Sequence, residues 1–132
     1  MELGHVQRAA GQSAEALEAY QRAADLHREF GDRGGEALAL DAAAEVHREQ
    51  GRAEEAVTLH RAAEAVHRDL GDRWHQGLSL IGMGKAMASL QCLPQARIQW
   101  GHALAALAAF TDPPAAKLRR EIQITLTYLQ GR

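Results

Sequence analysis

Apolar residues recur every three to four positions along nearly the whole chain, the spacing of an amphipathic helix. Leu38, Leu40, Ala43, Ala44 and His47 form one such stripe, and Gly51 ends it. Ala56, Leu59, Ala63, Val66 and Leu70 form the next, closed by Gly71, a residue free to adopt the left-handed conformation. Asp72 follows, a carboxylate able to cap the helix after it. The preceding stripe is Ala16, Tyr20, Ala23 and His27, with Ser13 as its N-cap, Gly31 as its stop and Asp32 as the next cap. Further on, Gln91 stands where a glycine is expected, Pro94 suits a first helical turn, and Thr111-Asp112-Pro113-Pro114 ends a helix. No segment alternates as a strand would. The pattern predicts helices at about 2–10, 13–30, 34–50, 53–70, 74–90, 94–110 and 114–129. Connections this short make sequential helices antiparallel.

The stripes themselves repeat. His27-Arg28-x-x-Gly31-Asp32-Arg33 returns 40 residues later as His67-Arg68-x-x-Gly71-Asp72-Arg73, and the same shift pairs Gly11 with Gly51, Ala16 with Ala56 and Ala23 with Ala63. A period of this size marks a helical solenoid. Within each period the pattern is a large residue, small residues near the end of the first helix, then Ala, aromatic and Ala on the second. The middle unit supplies Leu40, Ala43, Ala44, Ala56, His60 and Ala63; the next supplies Leu80, Met83, Gly84, Ala96, Trp100 and Ala103; the first supplies Leu3, Gly4, Ala16, Tyr20 and Ala23. Small residues are needed where the two helices of a hairpin cross closely.

These spacings resemble the tetratricopeptide repeat, in a form with a 40-residue period rather than the usual shorter one. The resemblance implies an all-α, right-handed α-solenoid of about three helix-turn-helix hairpins plus a C-terminal capping helix, about seven helices. It implies one domain over 1–132, with repeats at about 1–33, 34–73 and 74–113 and the capping helix at 114–129. It also implies a protein-interaction scaffold without enzymatic activity or cofactor. The long period and the Ala, Arg and His bias resemble the C-terminal repeat arrays of actinobacterial regulators, of the Streptomyces antibiotic regulatory protein and signal-transduction ATPase types.

The ends differ. The register places the start of the first helix before residue 1, so Leu3 and Val6 lack part of their cover, as in a piece of a longer array. That uncapped end, or the C-terminal helix, could join two copies into a homodimer. Leu118, Ile122, Thr125, Leu126 and Leu129 form a closing stripe, with Ile124 and Tyr128 off it, as a shallow edge of the core or a partner surface.

Charge and composition narrow the partners. Fifteen basic and 17 acidic residues leave a net charge of −2, which gives no electrostatic case for nucleic acid or an anionic membrane. There is no span of roughly 18 apolar residues and no basic-then-apolar leader pattern. The single Cys92 forms no internal disulfide, which suits the cytoplasm.

Chemistry is sparse. Seven histidines raise a metal-binding alternative, but His60 and Glu64, four apart, lack a His-Glu-x-x-His or Cys-x-x-Cys context. His60 occupies the aromatic packing position. His27 and His67 recur beside the turn, where a histidine favours the helix dipole. Gly82-x-Gly84 lies in a helical pattern without a preceding strand, so it is no phosphate loop. Arg33 and Arg73 follow the capping Asp and are expected to pair along the solenoid's edge, with anion binding as the other reading. Catalytic, cofactor and metal residues are therefore expected to be none.

What remains is a groove. The first helix of each hairpin lines the concave side in this repeat class, which assigns His5, Arg8, Asp41, Glu45, Arg48, Glu49, Ile81, Lys85 and Ser89 to it. Asp41 and Glu45 would repel a peptide carboxylate. A chaperone-clamp role is therefore rejected in favour of a protein or peptide partner with basic or polar residues.

Overall fold

The computed structural model describes residues 2–130, with side chains described from Gly11 onward. Among the described residues every regular element is a helix: α1 (Glu2–Glu29), α2 (Arg33–Glu49), α3 (Ala53–Asp69), α4 (Arg73–Ser89), α5 (Leu93–Leu107) and α6 (Pro113–Gln130).

One device ends four of them. Gly31, Gly51 and Gly71 adopt φ of 74°, 78° and 72°, and Gln91 adopts 63° at the equivalent place. The amide just beyond each reaches back to the carbonyl five residues earlier: Asp32 to His27 at 2.7 Å, Arg52 to His47 at 2.8 Å, Asp72 to His67 at 2.8 Å and Cys92 to Met87 at 2.9 Å. Gly31 itself bonds the Arg28 carbonyl at 3.1 Å. This is the Schellman closure, which satisfies carbonyls the helix end would otherwise strand. The turns therefore repeat every 20 residues, although the side-chain pattern repeats every 40. The next helix begins at once. Asp32 accepts the Gly35 amide at 2.8 Å and Asp72 accepts that of His75 at 3.1 Å. Arg52 and Cys92 sit at the same place with no side-chain cap. Acidic Glu54 and Glu55 in α3, and Pro94 in α5, favour those starts instead.

Each helix packs on its neighbours in sequence, and α2 also touches α4. That is the signature of stacked hairpins, α2–α3 and α4–α5, with the first helix of each on one side. The crossing points are small, as the register requires: Ala44, Ala56, Ala63, Ala96 and Ala103 are fully buried. Gly84 is needed as glycine, because a Cβ there would fall on the Trp100 indole. Trp100 Nε1 donates to the Ile81 carbonyl at 3.3 Å. At the C-terminal end Ile122 is buried while Leu118, Leu126 and Leu129 pack partly buried against the core. Thr125 is exposed, and so is Ile124, at 62%. Arg119 fastens α6 by donating to the carbonyls of Leu107 and Phe110. Phe110 in turn meets Trp74 edge-on at 5.4 Å. Arg33 pairs with Asp69 at 3.3 Å, and Arg73 reaches the Ala105 carbonyl at 3.2 Å, so both span from one helix to the far end of its hairpin partner. No helix among the described residues is long and apolar enough to cross a membrane.

The described residues form six helices rather than about seven, because the segments expected at 2–10 and 13–30 form one continuous helix. Gly11 does not take the left-handed conformation of Gly31, Gly51 and Gly71. Inside a helix a single glycine costs only about 1 kcal/mol. A helix turned back at Gly11 would bring few large apolar residues to bury, Met1, Leu3 and Val6. Ser13 is accordingly a mid-helix residue, not a cap.

The left-handed positions are directly testable. Gly71→Ala should lower the unfolding free energy by about 1–2 kcal/mol, whereas Gln91→Gly should leave it unchanged or raise it by up to about 1 kcal/mol. Urea denaturation of both variants checks this.

Candidate functional site

The most concentrated chemistry lies where α2, α3 and α4 meet. His60 and His67 are seven residues apart on α3, two turns, and so share a face. That face meets Asp41 of α2 and Ser79 of α4. Asp41 Oδ1 lies 2.8 Å from His60 Nδ1, and Oδ2 lies 3.0 Å from His67 Nε2. The Ser79 hydroxyl donates to both oxygens, at 2.9 and 2.8 Å. His60, His67 and Ser79 are 2%, 1% and 0% exposed, and the Asp41 side chain is 20% exposed. Gly82 of α4 makes the space, since a Cβ there would fall on the His60 imidazole.

His60 is flanked on its other side too. Its Nε2 lies 3.2 Å from Glu45 Oε1, while Arg48 donates to Glu45 Oε2 at 2.7 Å. A carboxylate accepts and cannot donate, so each ring nitrogen facing one must carry a proton. The two contacts together are thus those of an imidazolium between two carboxylates. Burial alone would depress its pKa, but the hydrogen bonds and charges of Asp41 and Glu45 outweigh that and hold it above the ordinary histidine value. The His60 hydrogen bond, with Arg48 assisting against burial, holds the Glu45 carboxyl down at about 2.

Two flanking groups complete the seam. Glu64 is 10% exposed and takes hydrogen bonds from Gln76 Nε2 at 3.0 Å and Arg68 at 3.2 Å. His75 Nδ1 lies 2.7 Å from Asp72 Oδ2, and its ring stands 5.4 Å from that of His67. In the first turn His27 makes the corresponding contact to Asp32 at 3.1 Å. In the second unit His75 has taken the Asp72 oxygen, and His67 Nδ1 is buried with no hydrogen-bond partner. Burial opposes the lowering of the Asp72 pKa, but the bonds from the His75 amide and ring prevail. His47, at the same place one helix earlier, meets Arg52 instead and accepts from its Nε at 2.8 Å. Burial and then the Arg52 charge depress its pKa. His60 and Glu64, weighed above as a ligand pair, turn to different partners. No group of three or more His, Cys, Asp or Glu among the described residues could hold a metal ion.

A shallow cleft of about 240 Å³ opens over this cluster, lined by Leu38, Asp41, Ala42, Glu45, His60, His75 and Leu78. The fold that frames it has relatives. The family model of the tetratricopeptide repeat matches residues 1–69, just over half of the 132-residue chain. The chain belongs to the tetratricopeptide repeat family. A solved structure, the N-terminal domain of stress-induced protein-1 (STI-1) from C. elegans, is similar with a TM-score of 0.55 and 17% identity, covering 84% of this chain and 97% of that one. At that identity the likeness speaks for the fold alone. No curated protein matches the chain.

The tetratricopeptide register places Leu38 and Leu78 at equivalent positions, and they are 45% and 36% exposed. Of the residues expected in the groove, Asp41 and Glu45 do border the cleft, but their carboxylates are engaged by His60, His67, Ser79 and Arg48. Arg48 is half-buried against Glu45, and Glu49 is exposed. Ile81 is buried, lining a second hollow with Lys85, Trp100 and Glu121. Lys85 and Ser89 are exposed, Ser89 turning its hydroxyl onto the Lys85 carbonyl at 3.1 Å. The side chains of His5 and Arg8, and of Leu3 and Val6, lie outside the described residues. The hydrophobic pattern puts Leu38 in a core stripe and assigns no role to Leu78 or His75. Their signal was the register: 38 and 78 sit one period apart on the groove side.

If Asp41 is the acceptor that joins the three helices, removing it leaves two buried ring nitrogens, His60 Nδ1 and His67 Nε2, without an acceptor and the His60 charge with Glu45 alone. Asp41→Ala should then cost about 3–5 kcal/mol, against about 1 kcal/mol for Ser79→Ala. Chemical denaturation at about pH 6 separates the two.

Proposed function

We propose that this tetratricopeptide module binds a protein or peptide segment in the groove lined by α2 and α4. The observation that carries the reading is the pair of exposed leucines, Leu38 and Leu78, at equivalent places of successive repeats beside the cleft. Apolar side chains in a concave site supply affinity, and a few placed polar groups supply orientation. Here Glu49 and Lys85 are exposed along the same register, while Asp41 is committed to the interior. The partner that fits presents apolar side chains at the repeat spacing with polar residues between them. This moves the emphasis away from a basic partner, because Arg48 and His60 already offset Glu45 and Asp41.

We further propose a single repeat domain in a cytoplasmic bacterial regulator, on the resemblance to the long-period repeat arrays. It would act as a scaffold rather than an enzyme. Self-association through the C-terminal helix is a second reading, favoured by the exposure of Ile124.

Peptides selected from a random library against the full chain provide the test. The double substitution Leu38→Asp and Leu78→Asp should weaken their binding about tenfold or more, the effect of about 1.4 kcal/mol. Ile98→Asp, at an exposed site on α5, should leave it unchanged. Equal binding by all three proteins would move the site off this groove.

A further inference from the structure

The charged cluster under the groove is not demanded by the fold. One repeat later the same positions hold Ile81 for Asp41, Lys85 for Glu45, Trp100 for His60 and Leu107 for His67. That hairpin packs well without an ion pair: Trp100 and Leu107 are buried, and the indole N–H finds a backbone carbonyl. A buried ion pair is costly to desolvate and is weak evidence for stability in itself. The second hairpin therefore carries an interaction whose use must be sought elsewhere.

Its geometry depends on one proton. With both ring nitrogens protonated, His60 serves Asp41 at 2.8 Å and Glu45 at 3.2 Å together. With one proton lost it can donate to only one of them. Asp41 keeps other donors, His67 and Ser79. The Asp41 contact is the shorter, on the more buried carboxylate, and Glu45 is half in solvent with Arg48 of its own helix still beside it, so the tie from α3 to Glu45 is the one that fails. The remaining charges nearby do not replace it. From α3, Glu64 is held by Arg68 and by Gln76 of α4. On α4, His75 is held by Asp72, and the residue against the His60 ring is Gly82. The Glu45 side chain is 39% exposed and opens on the cleft, so protons can reach the cluster without unfolding.

We propose that His60, Asp41 and Glu45 form a proton-operated latch: protonated, His60 ties the C-terminal half of α2 to α3 beneath the groove, and deprotonated, it releases Glu45 and loosens that half of α2. The sign follows from linkage. A histidine whose folded pKa lies above its unfolded value stabilises fully below the unfolded value, near about 6.5, and that stabilisation is lost as pH rises through the folded value. The direction found for His60 is upward. The latch is thus closed in mildly acid solution and opens toward alkaline pH.

Nitrogen-resolved NMR titration of the histidine rings in the full chain tests this, together with hydrogen exchange of α2. At about pH 6.5 the His60 ring should carry protons on both nitrogens, and its midpoint should lie above that of a free histidine. Glu45→Gln, a half-exposed change that keeps the shape, should lower that midpoint by about one unit. In the wild type, protection of the amides of residues 42–49 should fall about tenfold across the His60 midpoint, and in Glu45→Gln the fall should shift with it. His60→Tyr, the residue type at Tyr20 of the preceding repeat, assigns the resonance and should abolish the step. If that variant fails to fold, the Glu45→Gln shift alone identifies the ring. A singly protonated His60 at about pH 6.5, a midpoint indifferent to Glu45→Gln, or α2 protection that does not follow the midpoint would each overturn the proposal.

Discussion

The Asp41 carboxylate is where the middle of this solenoid is tied together. It accepts from His60 and His67 on α3 and from Ser79 on α4, while its own backbone belongs to α2. Three helices are therefore registered by one acceptor. A repeat protein holds its shape by summing contacts between neighbours, and many of the buried residues here are alanines, which specify spacing but little else. Charged hydrogen bonds are directional and roughly twice as strong as neutral ones. In an alanine-rich stack they fix which turn of α3 faces which turn of α2. Gly82 belongs to the same device, since it gives the imidazole its place.

The two complete hairpins solve one packing problem in two ways. In α4–α5 a large indole fills the aromatic position over Gly84 and satisfies its N–H on the Ile81 carbonyl. In α2–α3 a smaller imidazole fills the same position and satisfies both nitrogens on side-chain carboxylates. The first solution is insensitive to solution conditions and the second is not. The groove lies over the second: Leu38 and Leu78 stand beside Asp41, Glu45 and His60 at the cleft. Whatever occupies the groove rests on the part of the stack whose order depends on a proton.

Much of this was legible in the residues. Gly31, Gly71, Asp32 and Asp72 announced their turns and caps because each residue type has one conformational or hydrogen-bonding reason to be there. The crossing alanines followed from the period. At Gln91 the register alone marked the turn, because a left-handed glutamine leaves no compositional mark of its own. The continuity of α1 through Gly11 was hidden for the opposite reason: a glycine marks a stop only when there is something to fold back upon. At the site the register put Asp41 on the groove side but not the direction of its carboxylate. The missed signal was pairwise. The residue 19 positions before the aromatic position is Ile81 in one hairpin and Asp41 in the other, so an acid there opposite a histidine meant a pair across the hairpin. Exposure of Leu38 and Leu78 depended on how far α2 and α4 stand apart, which spacing along the chain does not encode.

The registration of α2 against α3 rests on the energy of one pair, and a double-mutant cycle measures it. Asp41→Ala, His60→Phe and the double variant would be unfolded chemically at about pH 6, where the imidazolium is intact. The structure predicts a coupling of about 2–3 kcal/mol, the upper part of the range for directly contacting groups in one network. A coupling below about 0.5 kcal/mol, the level of independent sites, would contradict the claim that this contact registers the helices.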